Sequence, residues 1–307
     1  MKKPMKAALL HFGTNMWKEN DGQPLHTDYD VWKMTTDKMA ELGYNAVLID
    51  VGEAVIYDNY PELAIEGSWT KADFKKELDR LRNMGLTPYP KLNFSTGHDA
   101  WLKEYSYMVG TKKYYEVCKG TIEEVIDLFD KPEFIHLGMD EECHVMQINY
   151  HVSVARTHKK RLEDMNYLFD VVRAKGVRPW IWVDPTAIPE MGGAEYFSQN
   201  IGKDVLLSNW YYHDIRRKQL ETTEYVYDFI KFFNLLDEWG YEQVPTTSIW
   251  GYHLNSKDVL RYCENNIDND MAGYMIAPWL HCVKGEEYAL LTNLYNFDKA
   301  WKEEVKK

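Results

Sequence analysis

The sequence predicts a single (β/α)8 barrel. Three observations carry that reading: short β-rich runs alternate with longer amphipathic stretches from end to end, eight such units can be counted, and 307 residues fall within the usual size of one such barrel. A doubly wound open sheet would use the same alternation. No Gly-x-Gly-x-x-Gly follows any strand, which removes the usual dinucleotide reason for an open sheet and favours closure.

The strands are predicted at Lys6 to Phe12, Asn45 to Val51, Thr87 to Asn93, Phe134 to Met139, Arg178 to Asp184, Val205 to Tyr211, Thr246 to Trp250, and Ala272 to Trp279. In Tyr29 to Leu42, the residues Val31, Met34, Met39 and Leu42 fall on a helical repeat that Gly43 stops. Thr70 with Asp73 three residues on forms an approximate capping box, and Leu78, Leu81 and Met84 lead to Gly85. Lys159 to Lys175 ends at Gly176, Glu224 to Trp239 ends at Gly240, and Ser256 opens the seventh helix. Gly97 to Thr121 is the longest excursion and follows strand three, on the face where barrel enzymes place their chemistry. With no Pro-, Gly- or Ser-rich linker and no low-complexity tract, residues 1–307 are expected to form one domain.

The 36 basic and 48 acidic residues give a net charge of -12, which repels polyanions, so nucleic acid is not an expected partner and a neutral substrate fits better. No continuous apolar stretch reaches the roughly 18 residues of a membrane span, so neither a membrane nor a leader is expected, and the reading is a cytoplasmic protein. Cys118, Cys143, Cys263 and Cys282 show no Cys-x-x-Cys pairing and read as reduced core thiols; no metal or cofactor is expected.

Barrel enzymes carry reacting groups at the carboxyl ends of the strands, so the residues there are the candidates. They are Asn93 and His98 after strand three, His136, Asp140 and Glu141 at strand four, Trp182 and Asp184 at strand five, Asn209, Trp210, Tyr211 and Tyr212 at strand six, Trp250 at strand seven, and Trp279 at strand eight. Trp residues end four successive strands, and the eleven Trp and 22 Tyr of the chain supply flat apolar rings suited to pyranose faces, with Asp, Asn and Tyr between them for hydroxyls. A carbohydrate is the expected partner. Asp140 and Glu141 are adjacent, and their mutual repulsion is expected to keep one protonated near neutral pH, the state a general acid needs.

Phe134-Ile-His136-Leu-Gly138-Met139-Asp140-Glu141 resembles the His-x-Gly-Gly-Asp-Glu signature of the family 20 glycoside hydrolases, the β-N-acetylhexosaminidases, which lies at the end of strand four. The resemblance implies that Glu141 is the general acid/base and that Asp140 orients the 2-acetamido group of the substrate, which acts as nucleophile. Pro90-Lys91-Leu92-Asn93-Phe94-Ser95-Thr96-Gly97-His98 is similar to the family's Pro-Glu-Ile-Asp-x-Pro-Gly-His, which implies that His98 supports the catalytic Glu. Tyr212-His213-Asp214 resembles a Tyr-x-Asp element whose Tyr bonds the acetamido oxygen, with Tyr211 in that part if the register differs, and Trp279-Leu280-His281 resembles a Trp-x-Glu whose Trp walls the pocket. Met139 replaces the second motif Gly, Lys91 and Asn93 replace acids, His281 replaces a Glu, and no Arg follows strand one.

Two other classes are open to these residues. His11, Asp50, Glu53, His98, His136 and His144 would suit a metal-dependent sugar isomerase or lyase if they met at the mouth. The altered residues around the motif would suit a catalytically silent sugar-binding barrel. A retaining glycosidase with its own nucleophile would need a second carboxylate about 5 Å from the acid, and Thr246 to His253 contains none.

Overall fold

The computed structural model describes residues 3–14, 16, 22–142, 147, 153–183, 185, 188, 191–215, 229–250, 254–268 and 271–305. Its strands are β1 (Met5–His11), β2 (Ala46–Asp50), β3 (Thr87–Lys91), β4 (Phe134–His136), β5 (Arg178–Trp182), β6 (Leu206–Ser208), β7 (Thr246–Thr247) and β8 (Gly273–Ile276). All pair in parallel, in the order β6-β5-β4-β3-β2-β1-β8-β7. Isolated parallel bridges Leu207 to Gln243 and Trp210 to Thr246 join β6 to β7, so the sheet closes on itself as the sequence predicts.

The closure sorts each strand into two faces by the period-two alternation of side chains. Met5, Ala7, Leu9, Ala46, Leu48, Tyr89, Phe134, Trp180, Leu206 and Met275 pack together in one buried cluster that fills the barrel. Ala8, Leu10, Val47, Ile49, Ile135, Ile181 and Leu207 join the larger cluster under the helices. Because both faces of the strands are covered, the strands read as continuous apolar runs, and each fully buried aliphatic side chain contributes roughly 1.5–3 kcal/mol.

The helices are α1 (Tyr29–Glu41), α2 (Lys71–Asn83), α3 (Lys112–Leu128), α4 (His158–Ala174), α5 (Ala194–Asn200), α6 (Phe232–Glu238), α7 (Ser256–Asn266) and α8 (Glu287–Glu304). The Thr70 cap forms as the sequence predicts, its side chain accepting from the Asp73 N–H. The stretch expected to be the longest excursion is divided: Ala100–Met108 forms a 3-10 segment and α3 begins at Lys112, nine residues before the excursion was expected to end. The helix predicted at Glu224 to Trp239 is observed from Phe232, and residues 216–228 lie outside the described residues.

At the amino end of the barrel, the buried Lys6 ammonium donates to Asp298 Oδ1 at 2.6 Å and to Leu42 O at 2.8 Å, tying α8 to β1. Gly273 lies beside it at φ 148°, and a Cβ there would stand 2.0 Å from Met5 O and 2.4 Å from Met5 N. Both obstacles are backbone of the paired strand, so they can yield only by parting β1 from β8. Gly273→Ala should therefore lower unfolding stability by more than about 2 kcal/mol in urea denaturation; an unchanged midpoint would contradict this account of the closure.

Candidate active site

Extending the alternation by two residues along each strand leads from the apolar interior to a polar layer at the carboxyl end. Leu9 leads to His11, Leu48 to Asp50, Tyr89 to Lys91, Phe134 to His136, Trp180 to Trp182, and Ala277 to Trp279. The register sets four of these side by side, His11 beside Asp50, Asp50 beside Lys91, and Lys91 beside His136. Lys91, at 0% exposure, donates to Asp50 Oδ2 at 2.6 Å, and His11 Nδ1 lies 3.2 Å from the same oxygen. Burial alone would raise the Asp50 carboxyl; the Lys91 and His11 charges and hydrogen bonds hold it well below its usual range.

Above this floor stand the two acids. Asp140 is buried, while the Glu141 side chain is 38% exposed, which leaves its carboxyl open to a leaving group or to water. His98 is buried between them, with Nδ1 3.5 Å from Asp140 Oδ2 and Nε2 3.6 Å from Glu141 Oε2. Asn93 Nδ2 donates to Asp140 Oδ1 at 3.2 Å, and Ser95 Oγ donates to the Asp140 carbonyl. Burial opposes charge on both groups. Even so, the charge of His98 and its hydrogen bond draw the Asp140 carboxyl below its ordinary value, and Asp140 in turn raises the His98 imidazole above its own. The expected protonated member of the acid pair is therefore not Asp140: a histidine between the carboxylates relieves their repulsion, and Asp140 is held as an anion.

The turn that presents the acids is unusual. Gly138 (φ 74°), Met139 (φ 77°) and Glu141 (φ 49°) all occupy the left-handed region. A Cβ on Gly138 would stand 2.2 Å from Asn93 Oδ1, so a glycine is required where the Asn93 side chain crosses to Asp140. Glu142, the next acid, is bonded to Arg156 and accepts from the Thr96 N–H at 3.3 Å, which takes it into the loop scaffold.

The indoles gather in part. Trp182 lies 5.9 Å from both Trp210 and Trp279 by ring centroids, and Tyr212 lies 6.5 Å from Trp210 and from Trp279. His136 is 4.6 Å from Trp182; burial, and then the Lys91 charge, push its imidazole well below the ordinary value, so it is neutral. Tyr211 belongs instead to the cluster under the helices and donates from its hydroxyl to Asp214 O, and Asn209 Nδ2 donates to Phe229 O. Of the two tyrosines, the structure brings Tyr212 to the indoles. Trp250 is 64% exposed on the rim, and Asp184 lies outside the described residues.

Lys91, Ser95 and Trp101 complete the site without having been singled out; Trp101 Nε1 donates to Asn93 O at 2.7 Å and fastens the loop after β3 over its end. Alternation along Tyr89, Lys91 and Asn93 is the signal in the sequence that could have placed Lys91 inside. The six residues of a possible metal centre are not gathered as one set: His11 pairs with Asp50, Glu53 accepts from the Thr14 N–H at 2.7 Å, and His144 lies outside the described residues. Among the described residues, the potential ligands that gather three together, with their atoms within 4.8 Å of one another, are His98, Asp140 and Glu141. There the two acids approach opposite nitrogens of one ring, an arrangement suited to relaying a proton.

No protein-family model matches the chain, and no curated protein matches it. Solved structures do. A catalytic module of the pneumococcal exo-β-D-N-acetylglucosaminidase StrH superposes with a TM-score of 0.66 at 15% identity, covering 99% of this chain and 86% of that one. The Bacteroides fragilis β-N-acetylhexosaminidase gives 0.64 at 13%, covering 97% of this chain and 65% of that one, and the Streptomyces plicatus N-acetyl-β-hexosaminidase gives 0.65 at 13%, covering 96% and 62%. The chain thus spans less than two thirds of the latter two, and at these identities the likeness is one of fold.

The paired shifts fix a pH signature. The raised His98 contributes stability fully below its ordinary 6.5 and loses it as pH rises through the folded value; the lowered Asp140 contributes above its ordinary 3.8 and loses it as pH falls through the folded value. The stability difference between wild type and His98→Ala should be largest between those two values and shrink on either side, by urea denaturation across pH; a flat difference would show that the pair is not coupled.

Proposed function

We propose that this protein is a glycoside hydrolase that releases a terminal N-acetylhexosamine, with Glu141 as general acid/base and the substrate's 2-acetamido group as nucleophile. The observation that carries the reading is His98 between a buried, ionised Asp140 and a half-exposed Glu141. The fold likeness to three N-acetylhexosaminidases and the motif at strand four support it.

The roles follow from environment. Glu141 is reachable from outside and gives its proton to the glycosidic oxygen as the bond from that oxygen to C1 breaks. The acetamido carbonyl oxygen bonds to C1 in its place, and the resulting ring carries positive charge on the group whose N–H faces Asp140. A carboxylate already ionised and fixed by His98 and Asn93 stabilises that charge without reorganising. Water then adds to C1, returning the acetamido group, while Glu141 takes the water's proton. Trp182, Trp210, Tyr212 and Trp279 form one aromatic cluster that would wall the sugar ring, and the exposed Trp250 offers a further ring for an aglycone to stack on. The absence of a carboxylate from Thr246 to His253 supports an internal nucleophile from the substrate.

Glu141→Gln should lower kcat on an aryl β-N-acetylhexosaminide by about 10²- to 10⁴-fold and leave sugar binding within a few-fold, as read by steady-state kinetics and calorimetry; unchanged turnover sinks the assignment. Aryl glycosides bearing the 2-acetamido group should be cleaved, while their 2-hydroxy counterparts should not. Equal rates on the pair would instead require a nucleophile or base from the protein.

A further inference from the structure

Three ring nitrogens at the mouth, His136 Nε2, Trp182 Nε1 and Trp279 Nε1, are buried and have no hydrogen-bond partner among the described residues. Native structures rarely keep such groups, because a donor stripped of water and given no acceptor is costly. The rings are neighbours, with centroids 4.6 Å apart for His136 and Trp182 and 5.9 Å apart for Trp182 and Trp279. His136 Nδ1 accepts from the Gly138 N–H at 3.0 Å, so the ring proton sits on Nε2, and all three nitrogens are donors. Other buried indoles of the chain are satisfied: Trp32 donates to Glu77 at 2.7 Å, Trp101 to Asn93 O at 2.7 Å, and Trp180 to Ser208 Oγ at 2.8 Å. Among the described residues, the two buried indole nitrogens without an acceptor, those of Trp182 and Trp279, therefore both stand at the site, at the ends of strands five and eight.

We propose that His136, Trp182 and Trp279 form a donor wall that binds hydroxyl oxygens of an uncharged pyranose, reading them directly rather than only stacking on the ring's apolar face. The identity of the sugar, an N-acetylhexosamine, rests on the hydrolase reading; the wall itself does not. An anionic sugar is disfavoured by the surroundings. Lys91 is bound to Asp50 and His98 faces Asp140, so these two cations of the described site are already matched, and a sulfate or carboxylate would meet two ionised acids. Neutral N–H donors against hydroxyl lone pairs need no countercharge.

The test uses ¹⁵N-labelled full-length protein titrated with N-acetylglucosamine, with the two indole signals assigned from Trp182→Phe and Trp279→Phe. Both signals should move on saturation, and each variant should weaken binding about 3- to 10-fold, the range of one hydrogen bond. Within the 3-, 4- and 6-deoxy series, at least one deoxygenation that weakens wild-type binding should cost less in a variant; pure stacking would make that cost equal in both. Indole signals that stay fixed while the sugar binds would overturn the proposal, as would glucuronic acid binding as tightly, or no sugar binding at all at millimolar concentration. The titration needs only wild type if a variant fails to fold. Moving signals in a protein that cleaves no hexosaminide would support the wall and remove the hydrolase reading, whereas cleavage with fixed signals would do the reverse.

Discussion

Two consecutive carboxylates on an extended strand would point to opposite faces of the barrel wall, and the site exists because the backbone after β4 does not stay extended. Left-handed conformations at Gly138, Met139 and Glu141 coil the chain so that Asp140 and Glu141 both reach His98. For a residue with a Cβ each such conformation costs roughly 1–2 kcal/mol, so neighbouring contacts must hold the turn. Trp182 N–H donates to Gly138 O at 2.9 Å, Arg161 Nη2 reaches Met139 O at 3.4 Å, and Ser95 Oγ takes Asp140 O. The turn is thus clamped by β5, by α4 and by the tail of β3.

That third clamp links the turn to its electrostatics. The tail of β3 continues beside β4 through Leu92 N–H to His136 O at 2.8 Å and Phe94 N–H to Leu137 O at 3.1 Å, and this carries Asn93, Ser95 and His98 up to the acids. One segment therefore holds the Asp140 backbone, orients its carboxylate and supplies the balancing charge. Burying Asp140 without that charge would neutralise it, and a neutral acid could not stabilise a cationic intermediate.

Much of the architecture was readable because barrel strands buried on both faces leave apolar runs and the helices between them carry caps. The strand ends were less exact. β4 and β7 are shorter than the apolar runs suggest, since β4 stops at His136, just before the left-handed turn, and propensity does not register positive φ at a methionine. At the site, the acid pair and His98 stood out by residue type and order, whereas the choice between Tyr211 and Tyr212 was a matter of strand parity. Taking Leu206 as interior places Trp210 and Tyr212 inward and Tyr211 outward. The expectation that mutual repulsion leaves one of the pair protonated weighed two neighbours in sequence and omitted a third group, His98, which a different strand brings in and which holds Asp140 as the ionised member.

The same omission explains why Lys91 looks like a loss in the sequence and not in the fold. Standing where the resembling motif has an acid, it reverses the charge at that position when the strand is read alone. In three dimensions Asp50 of the adjacent strand lies in register with it and restores neutrality, with His11 on the same carboxylate. The floor of the mouth is thus a closed ion pair, shielded from solvent, that offers a ligand no free charge. Among the described residues, what stands above it is a set of neutral rings and an ionised Asp140 paired with His98; on the function proposed above, the charge would serve the reacting centre and the uncharged groups would set the shape and hydrogen bonding of what enters.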